Sequence, residues 1–471
     1  MKRAIILCCL CTLSLISCGS QNQSIETTTV VDTTIGETEP SIPVKDFSGE
    51  TITIYVRDDL KGNEWNVSDI DAEVETGEPI NDAVYRRNSN IMDRYNVKLE
   101  IVRSGAMFSV DTVRNVVLSG DDIYDALMLA GYDMTALTQE KMLYNLLSLE
   151  SIDPYASYWN PTLSESLTIG NKLYAAIGDI STIDNRAVRC LYFNKDLFDS
   201  YNLEYPYQSV LDGNWTYEDF FSLVAMGNAD LDGNSVYDEN DQYGLFVQSS
   251  LGMNLYYASG LSYINKSDEG LLVPEFTGEK AVEIMQDISD LIASNKSSIA
   301  WSDDFQKYMT LFSENKGLFY AEVLYFTEYF RQYDFNFGIL PMPKYDENQE
   351  NYQQFADGSC VNLCGIPITN NSPEDAALIL EALSAESVEL LTPAYYDVCL
   401  IGKQIRDDES RDMLDIIFNS YVVDYGNLLQ LSVCYTLNNA MINGSNVASI
   451  VESQRSQTES LLNDYNELMT E

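Results

Sequence analysis

Residues 230–241 read DLDGNSVYDEND and place oxygen-bearing side chains at a spacing that could bind a metal ion. Calcium is bound by six to eight oxygen atoms, and loops that bind it supply ligands at positions 1, 3, 5, 7, 9 and 12. We expect a structural calcium ion at this loop and no organic cofactor elsewhere. The predicted ligands are the side chains of Asp230, Asp232, Asn234, Asp238 and Asp241, with the backbone carbonyl of Val236.

Two residues of this loop are predicted to weaken calcium binding. Ser235 stands at position 6, where such loops usually have glycine, and Asp241 stands at position 12 in place of a longer, bidentate glutamate. A polar turn that binds no ion is the alternative interpretation. Because one loop runs directly into a predicted strand, the pattern favours a structural role over a calcium-sensing role.

The composition restricts the chemistry that this chain can perform. Its 471 residues include no histidine, which excludes Ser-His-Asp and Cys-His catalysis and His-ligated zinc or iron sites. The 73 acidic and 27 basic residues give a net charge of −46, which opposes binding to nucleic acid. The enzyme chemistry that stays open is mainly that of paired carboxylates or of lysine and tyrosine bases.

The chain begins with MKRAIILCCLCTLSLISCGS, which has the pattern of an export signal. Two basic residues precede an apolar stretch that is too short to span a ~30 Å hydrocarbon core. The stretch ends in LISC, which resembles the lipobox of bacterial lipoproteins and implies cleavage after residue 17 and lipidation of Cys18. A plain secretory signal or an uncleaved anchor are the alternatives. Residues 18–46 are rich in Ser, Thr, Glu and Pro, which predicts a flexible tether.

The cysteines beyond the leader lie in apolar contexts, so most of them are predicted to be buried small hydrophobic side chains. Cys360 and Cys364 are separated by ~13 Å if both lie in one strand, which is too far for a disulfide. A disulfide between Cys399 and Cys434 stays open, and Cys190 is expected to be buried.

Strand and helix patterns alternate along the body of the chain. TITIYV, VKLEIV and YDALMLA are rich in β-branched or aliphatic residues and read as strands. Between the first two, Val84, Ile91 and Tyr95 recur at helical spacing. Thr216 and Asp219 have the spacing of a capping box at the start of another helix. This alternation predicts α/β lobes built on mixed, mainly parallel sheets flanked by helices.

Three motifs occur in order in the middle of the chain: LYFNKDLF (191–198), NWTYEDFF (214–221) and DQYGL (241–245). NKLYAAIGD precedes them, and NKGLFYAEVLYF and FNFGILPMPK follow. Together they resemble the extracellular solute-binding proteins of carbohydrate ABC importers, of the maltose-binding type. The resemblance covers roughly residues 50–465. The chain departs from that type by a longer segment between Gly178 and Cys190 and by the inserted calcium-like loop.

The resemblance implies a two-lobed, type II periplasmic-binding-protein-like fold with a hinge between the lobes. Lobe 1 would comprise residues 47–183 and 355–395, and lobe 2 residues 184–354 and 396–471. The function implied is that of a monomeric receptor, lipid-anchored at the extracellular face of the bacterial cytoplasmic membrane. It would bind a solute, above all a sugar or oligosaccharide, in the cleft and deliver it to the transmembrane subunits of an ABC permease.

The resemblance also implies which side chains would contact the ligand. Sugars are bound by aromatic faces together with planar carboxylate, amide and guanidinium groups. The candidates of these types are Arg57, Asp58, Trp65, Tyr132, Asp133, Asp179, Arg186, Gln248, Ser249, Glu322, Tyr395 and Tyr396. Each candidate has a structural alternative, such as a surface ion pair for Arg57 and Asp58 or packing for the tyrosines. Trp159 and Trp215 are predicted to pack in the core.

Two further functions stay open from the sequence. A surface glycosidase would use two carboxylates ~5–9 Å apart, but 73 acidic residues supply some such pair by chance. A calcium-stabilised adhesive module would be expected to contain internal repeats, and the sequence has none. The identity and length of a ligand are not encoded in any motif.

Overall fold

The computed structural model describes residues 42–58, 69–404 and 407–471. The signal peptide, the tether up to residue 41, Cys18 and Trp65 lie outside the described residues, so the predictions made for them stay predictions. No helix in the described ranges is both long enough and apolar enough to cross a membrane.

The strands alternate with helices in the order that the sequence patterns predict. The strands are β1 (Thr51–Val56), β2 (Lys98–Arg103), β3 (Ala126–Ala130), β4 (Arg189–Asn194), β5 (Tyr243–Val247), β6 (Ile264–Lys266), β7 (Leu272–Pro274), β8 (Ile299–Trp301), β9 (Gly317–Val323), β10 (Phe337–Leu340), β11 (Gln354–Phe355), β12 (Asn362–Gly365) and β13 (Tyr421–Val422).

The α-helices flank the strands, and a π-helical segment at Ala394–Gln404 follows the long helix α13. The helices are α1 (Pro79–Tyr95), α2 (Val110–Ser119), α3 (Gly131–Gln139), α4 (Pro161–Leu167), α5 (Ile183–Arg186), α6 (Lys195–Tyr201), α7 (Tyr207–Leu211), α8 (Tyr217–Met226), α9 (Leu251–Ala258), α10 (Glu279–Ser294), α11 (Phe305–Ser313), α12 (Phe326–Phe330), α13 (Pro373–Pro393), α14 (Glu409–Phe418), α15 (Tyr425–Leu428), α16 (Ser432–Asn443) and α17 (Val447–Thr470).

Two mixed sheets organise the described residues. The first has the strand order β12-β3-β1-β2, with β1 parallel to β2 and β3 and with β12 antiparallel to β3. The second has the order β10-β4-β9-β5-β8, with β5 parallel to β8 and β9 and with β4 antiparallel to β9. The carboxyl ends of the parallel strands therefore lie together at one edge of each sheet.

Both faces of the second sheet are buried, as its nearly uninterrupted apolar strands require. Successive side chains of a strand point to opposite faces. Accordingly Tyr192 and Tyr320 pack in one hydrophobic core, and Leu191 and Phe319 pack in the other. The first of these cores also contains side chains from β1, β3 and β12 of the first sheet, so the two sheets share one apolar interior.

The local patterns that predicted helices are confirmed. Val84, Ile91 and Tyr95 are buried on α1, which packs on α13. Thr216 caps α8, where its hydroxyl accepts from the backbone N–H of Asp219 and the Asp219 carboxylate completes the capping box. The chain therefore starts these helices where the sequence indicates.

The two tryptophans predicted to pack in the core and the cysteines of the described residues are buried as the sequence predicts. Trp159 and Trp215 lie in the core, with their indole N–H groups donating to Glu381 and to the carbonyl of Pro341. The five cysteines of the described residues are buried, and no disulfide joins Cys399 to Cys434.

The segments that join the two sheets lie side by side. Val188, just before β4, forms a bridge with Ala356, just after β11, and β11 pairs in parallel with β13. The residue ranges of the two lobes stay a prediction, because they rest on the resemblance alone.

Candidate functional site

The carboxyl ends of β1 and β3 contact residues 357–361, which lead into β12. Arg57 follows β1, and its Nη1 donates to the carbonyls of Ser359 and Val361 at 2.9 and 3.3 Å. Tyr132 lies in the first turn of α3, directly after β3, and its hydroxyl donates to Asp357 at 3.0 Å. In α/β proteins ligands bind at such carboxyl edges.

A cavity of about 220 Å³ lies where this segment meets the carboxyl ends of β5 and β9. Residues of the second sheet line one side, and residues 357–360 line the other. The lining residues are Arg189, Gln248, Phe305, Glu322, Val323, Phe326, Tyr329, Asp357, Ser359 and Cys360. This cavity is the candidate site, because it lies between the edges of both sheets and contains the predicted residues Gln248 and Glu322.

A buried ion pair forms one wall of the cavity. Arg189 starts β4 and Glu322 lies near the end of β9, and antiparallel pairing of these strands brings Nη1 and Oε1 to 2.7 Å. Only 2% of Glu322 is exposed to solvent. Burial raises the pKa of Glu322, while the Arg189 guanidinium and the backbone N–H of Val323 oppose that shift. The pair is thus held in place by the strand register.

Each partner of this pair has a polar atom left over. Neither Oε2 of Glu322 nor Nε of Arg189 has a hydrogen-bond partner in the part of the chain that the structure describes, and both atoms are buried. A buried polar atom without a partner costs ~1–3 kcal/mol. Ligand hydroxyl or amine groups at this wall would remove that cost, which makes the pair a candidate for ligand recognition.

Asp357 forms a hydrogen-bonded network at the opposite wall. Its Oδ1 accepts from the Tyr132 hydroxyl and from Ser359, and its Oδ2 accepts from Nδ2 of Asn427 at 3.2 Å. Asn427 also donates to the Tyr132 hydroxyl at 3.1 Å, and that hydroxyl lies 3.2 Å from the hydroxyl of Tyr435. Tyr132 therefore contributes by positioning Asp357.

Aromatic side chains supply the apolar part of the cavity. The rings of Phe305 and Phe326 meet edge to face with centroids 5.6 Å apart, and Phe326 meets Tyr329 in the same way at 5.7 Å. Such rings can contact the CH face of a sugar or a cationic group.

Sequence reasoning missed several residues of the site, chiefly Arg189, Asp357, Phe305, Phe326 and Tyr329. A signal for two of them was present, because the aromatic run LYFTEYF (324–330) directly follows the predicted cleft residue Glu322. Arg189 and Asp357 lie at strand boundaries, where the pattern alone does not distinguish a site residue from a solvent-exposed one.

Arg57 and Asp58 are buried, so the alternative of a surface ion pair is wrong. Both hold the backbone at the edge of the first sheet, since Arg57 binds residues 359–361 and the N–H of Asp58 donates to the carbonyl of Ala106 at 3.0 Å. Asp133 is buried as well and accepts from the N–H of Ser109 at 2.6 Å. Burial raises the pKa of Asp133, and the Ser109 N–H lowers it.

The predicted residues Arg186, Tyr395 and Tyr396 are not among the residues that line this cavity. Arg186 pairs with Asp69 at 2.6 Å, and its guanidinium carbon lies 5.7 Å from the ring centroid of Tyr395. The hydroxyl of Tyr396 donates to Asp415. Their observed contacts are structural. Ser249 is exposed and donates to Asp303 at 2.8 Å, next to the cavity residue Gln248.

Asp179 lies in a different, polar cavity of about 320 Å³. Asp184 and Tyr421 line the same cavity, and the Tyr421 hydroxyl donates to Oδ2 of Asp184 at 3.0 Å. Burial raises the pKa of Asp179 to about 6 and that of Asp184 to about 7. Asp179 and Glu322 line different cavities, so the structure does not bring these two predicted residues together.

The loop at residues 230–241 brings its carboxylates together. One oxygen from each of Asp230, Asp232 and Asp241 lies within 4.8 Å of the others. Ser235 has a φ of +64°, the left-handed conformation that glycine adopts most easily. The remaining predicted ligands take part in the turn, because Asn234 accepts from the N–H of Val236, and Asp238 accepts from the N–H of Asn240.

No protein-family model matches the chain. No curated protein matches it either. Three similar solved structures are those of an ABC substrate-binding protein of Listeria monocytogenes with cycloalternan, the GacH receptor of Streptomyces glaucescens, solved unliganded and with acarbose, and UgpB of Mycobacterium tuberculosis with glycerophosphocholine. Their sequence identities are 14%, 13% and 12%, with TM-scores of 0.56, 0.56 and 0.54. The alignments cover 88%, 88% and 81% of this chain and 99%, 99% and 95% of the respective structures.

The chain therefore has the two-lobed α/β fold of the substrate-binding proteins of ABC importers. The predicted fold class is confirmed, and the similarity extends over nearly the whole length of those proteins.

Proposed function

We propose that this protein is a receptor that binds a small solute in the cleft between its lobes and delivers it to an ABC permease. The cavity at the carboxyl edges of both sheets carries this proposal. It combines aromatic rings with a buried ion pair, and Glu322 and Arg189 each have a polar atom that finds no hydrogen-bond partner among the described residues. The proteins of the same fold support it, because their structures contain cycloalternan, acarbose or glycerophosphocholine.

A saccharide is the ligand class that we favour. Rings stack on the CH faces of sugars, and carboxylate, amide and guanidinium groups bind their hydroxyls. The cavity of about 220 Å³ is smaller than the ~300–1,000 Å³ typical of ligand pockets. A short saccharide, or one end of a longer saccharide, fits such a space.

Binding without turnover is the activity that the carboxylates support. Glu322 is held by Arg189, and Asp357 accepts hydrogen bonds from Tyr132, Ser359 and Asn427. A glycosidase needs one carboxyl group to donate a proton and another to act as a base or nucleophile. The solved structures of the same fold are those of a substrate-binding protein and a receptor, which supports a binding role for these carboxylates.

The proposed location follows from the leader. We propose that Cys18 carries a lipid and that the tether holds a monomeric receptor at the extracellular face of the cytoplasmic membrane, where the transmembrane subunits of the permease accept the solute. The net charge of −46 favours solubility and opposes binding to nucleic acid.

The proposed function predicts that a ligand raises the melting temperature and closes the lobes. A thermal-shift screen of mono- and oligosaccharides should identify a stabilising compound, and small-angle scattering at saturation should then show a smaller radius of gyration. Glu322→Ala should abolish the shift, whereas the surface variant Glu75→Gln should retain it. Release of reducing ends from any of these compounds would contradict a binding-only receptor.

We also propose that residues 230–241 bind calcium as a structural ion. The clustered oxygens of Asp230, Asp232 and Asp241 support this, and the short Asp241 suggests an affinity of order 10⁻⁴–10⁻³ M. Millimolar calcium should raise the melting temperature and leave the affinity for the solute nearly unchanged. The double variant Asp230→Ala/Asp232→Ala should lose the rise. A calcium-dependent switch in solute binding would contradict a structural role.

A further inference from the structure

The charged groups that line the cleft cavity are unequal in number. One guanidinium, from Arg189, stands against the carboxylates of Glu322 and Asp357. Arg189 is engaged by Glu322 at 2.7 Å. Asp357 forms no ion pair within the described residues, because its hydrogen bonds come from hydroxyl, amide and backbone N–H groups. The described lining residues therefore carry two carboxylates and one guanidinium, which gives the lining a net negative charge.

The surroundings of the cavity add negative charge. The exposed Asp303 accepts from Ser249, directly after the lining residue Gln248, and the neighbouring Asp304 caps α11 just before the lining residue Phe305. A cleft lined by charges of one sign concentrates ligands of the opposite sign and repels ligands of the same sign. Among the described residues that line the cavity, an anionic solute would meet no cation other than the engaged Arg189.

Aromatic rings occupy the remaining wall. Phe305, Phe326 and Tyr329 line the cavity together, and their edge-to-face contacts order them as one group. Aromatic faces attract cations through the ring quadrupole, and the attraction is largest where water is excluded. A group of rings beside an uncompensated carboxylate is the arrangement that recognises ammonium groups.

A second observation points to a ligand with hydrogen-bond donors. Oε2 of Glu322 is buried in the cavity wall and accepts no hydrogen bond from any described residue. A carboxylate oxygen can only accept, so the group that completes this site must donate. An ammonium group or a hydroxyl meets this requirement, and a hydroxyl on the body of the solute can also accept from the buried Nε of Arg189, which has no partner among the described residues either.

We propose that the solute of this cleft carries a positively charged amine on a compact body, as in an amino sugar or a small quaternary amine. The inference rests on the proposed function, since it names the ligand class of the same cavity. Asp357 supplies the opposite charge, the three rings supply the apolar face, and Glu322 accepts a hydrogen bond from the body of the solute.

The experiment compares ligands that share a sugar body and differ in charge. Calorimetric titration of the full receptor with glucosamine, glucose and glucuronate, and with the corresponding disaccharides, measures the effect of one amine or one carboxylate on a common body. Choline serves as the quaternary amine without a sugar. We expect an amine-bearing compound to bind at least about tenfold more tightly than its neutral parent, and the carboxylate compounds to bind most weakly.

Two variants test the walls separately. Asp357→Asn should reduce the preference for the amine while leaving the neutral parent bound. Tyr329→Leu keeps apolar volume but removes a ring, and should reduce the preference by a similar factor. The second variant keeps the test informative if Asp357→Asn disturbs the network with Tyr132 and Asn427. The surface variant Glu75→Gln should leave the preference unchanged.

The outcomes separate this inference from the proposed function. Binding of a neutral or anionic saccharide more tightly than of its amine counterpart overturns the inference and leaves the receptor function intact. Binding of choline but not of any saccharide supports the inference and replaces the proposed sugar by a simple amine. If no compound of any charge binds, both the inference and the proposed saccharide receptor are rejected.

Discussion

Replacing Arg189 by methionine is expected to lower the free energy of unfolding by ~3–5 kcal/mol, since it leaves a buried charge without its partner. Glu322 is 2% exposed, and its Oε1 lies 2.7 Å from Nη1 of Arg189. Burial already raises the pKa of Glu322 against the influence of Arg189, and removal of the guanidinium raises that pKa further. Urea titration followed by circular dichroism measures the loss.

A second substitution distinguishes the cost of the lone charge from the loss of packing. In Arg189→Met/Glu322→Leu both charges are replaced by apolar groups, and we expect most of the stability to return. This double variant should fold and still fail to bind the solute. Arg86→Met serves as the matched control, because Arg86 and Glu75 form an exposed pair worth ~0–1 kcal/mol. Equal losses for Arg86→Met and Arg189→Met would contradict the explanation.

Much of the fold could be predicted from local patterns. The apolar spacing of Val84, Ile91 and Tyr95 specifies one face of α1, and the Thr216–Asp219 pair marks the start of α8, because both signals depend on residues within one or two turns. The apolar residues 317–321 of β9 likewise indicate a strand buried on both faces.

The candidate site could be predicted only in part. The resemblance to solute-binding proteins implies Gln248 and Glu322, and both line the cavity. Arg57 lies at such an end as well, yet its guanidinium points to backbone carbonyls of residues 359 and 361. A motif locates a residue at the edge of a sheet, but tertiary contacts decide which way its side chain points.

The site residues that the sequence did not predict are placed in the cavity by contacts between distant parts of the chain. Asp357 becomes a cavity residue because Tyr132 and Asn427, which are 225 and 70 residues away in sequence, donate to it. Arg189 enters the site through its antiparallel register with β9. The spacing of residue types in a single sequence does not indicate such long-range pairings. Composition and spacing therefore could not identify Asp357 or Arg189 as residues of the site.

A pH effect is expected from the polar cavity that contains Asp179 and Asp184. Burial raises the pKa of Asp184 from 3.8 to about 7 and that of Asp179 to about 6, and the two carboxyl groups also repel each other. The folded state therefore holds protons that the unfolded chain has already released. By linkage, the free energy of unfolding decreases as the pH rises from about 4 to about 7, and the full cost is present above that range.

Asp184→Asn should remove the larger part of this cost. Asparagine is neutral at every pH, and its carbonyl can still accept from the Tyr421 hydroxyl that now donates to Asp184 at 3.0 Å. At ~1.4 kcal/mol per pKa unit, we expect the variant to be more stable than the wild type by on the order of 2–4 kcal/mol at pH 8. At pH 4 the two proteins should agree within ~1 kcal/mol.

The comparison must exclude the general effect of net charge, because a chain with a charge of −46 is also destabilised by self-repulsion as its carboxyl groups ionise. Asp93→Asn removes one charge from the exposed side of α1 and controls for this effect. Urea titrations of the three proteins at several pH values should show a gain that grows with pH for Asp184→Asn alone. A gain that is the same at pH 4 and pH 8 would mean that asparagine improves packing, and that ionisation of Asp184 does not limit stability.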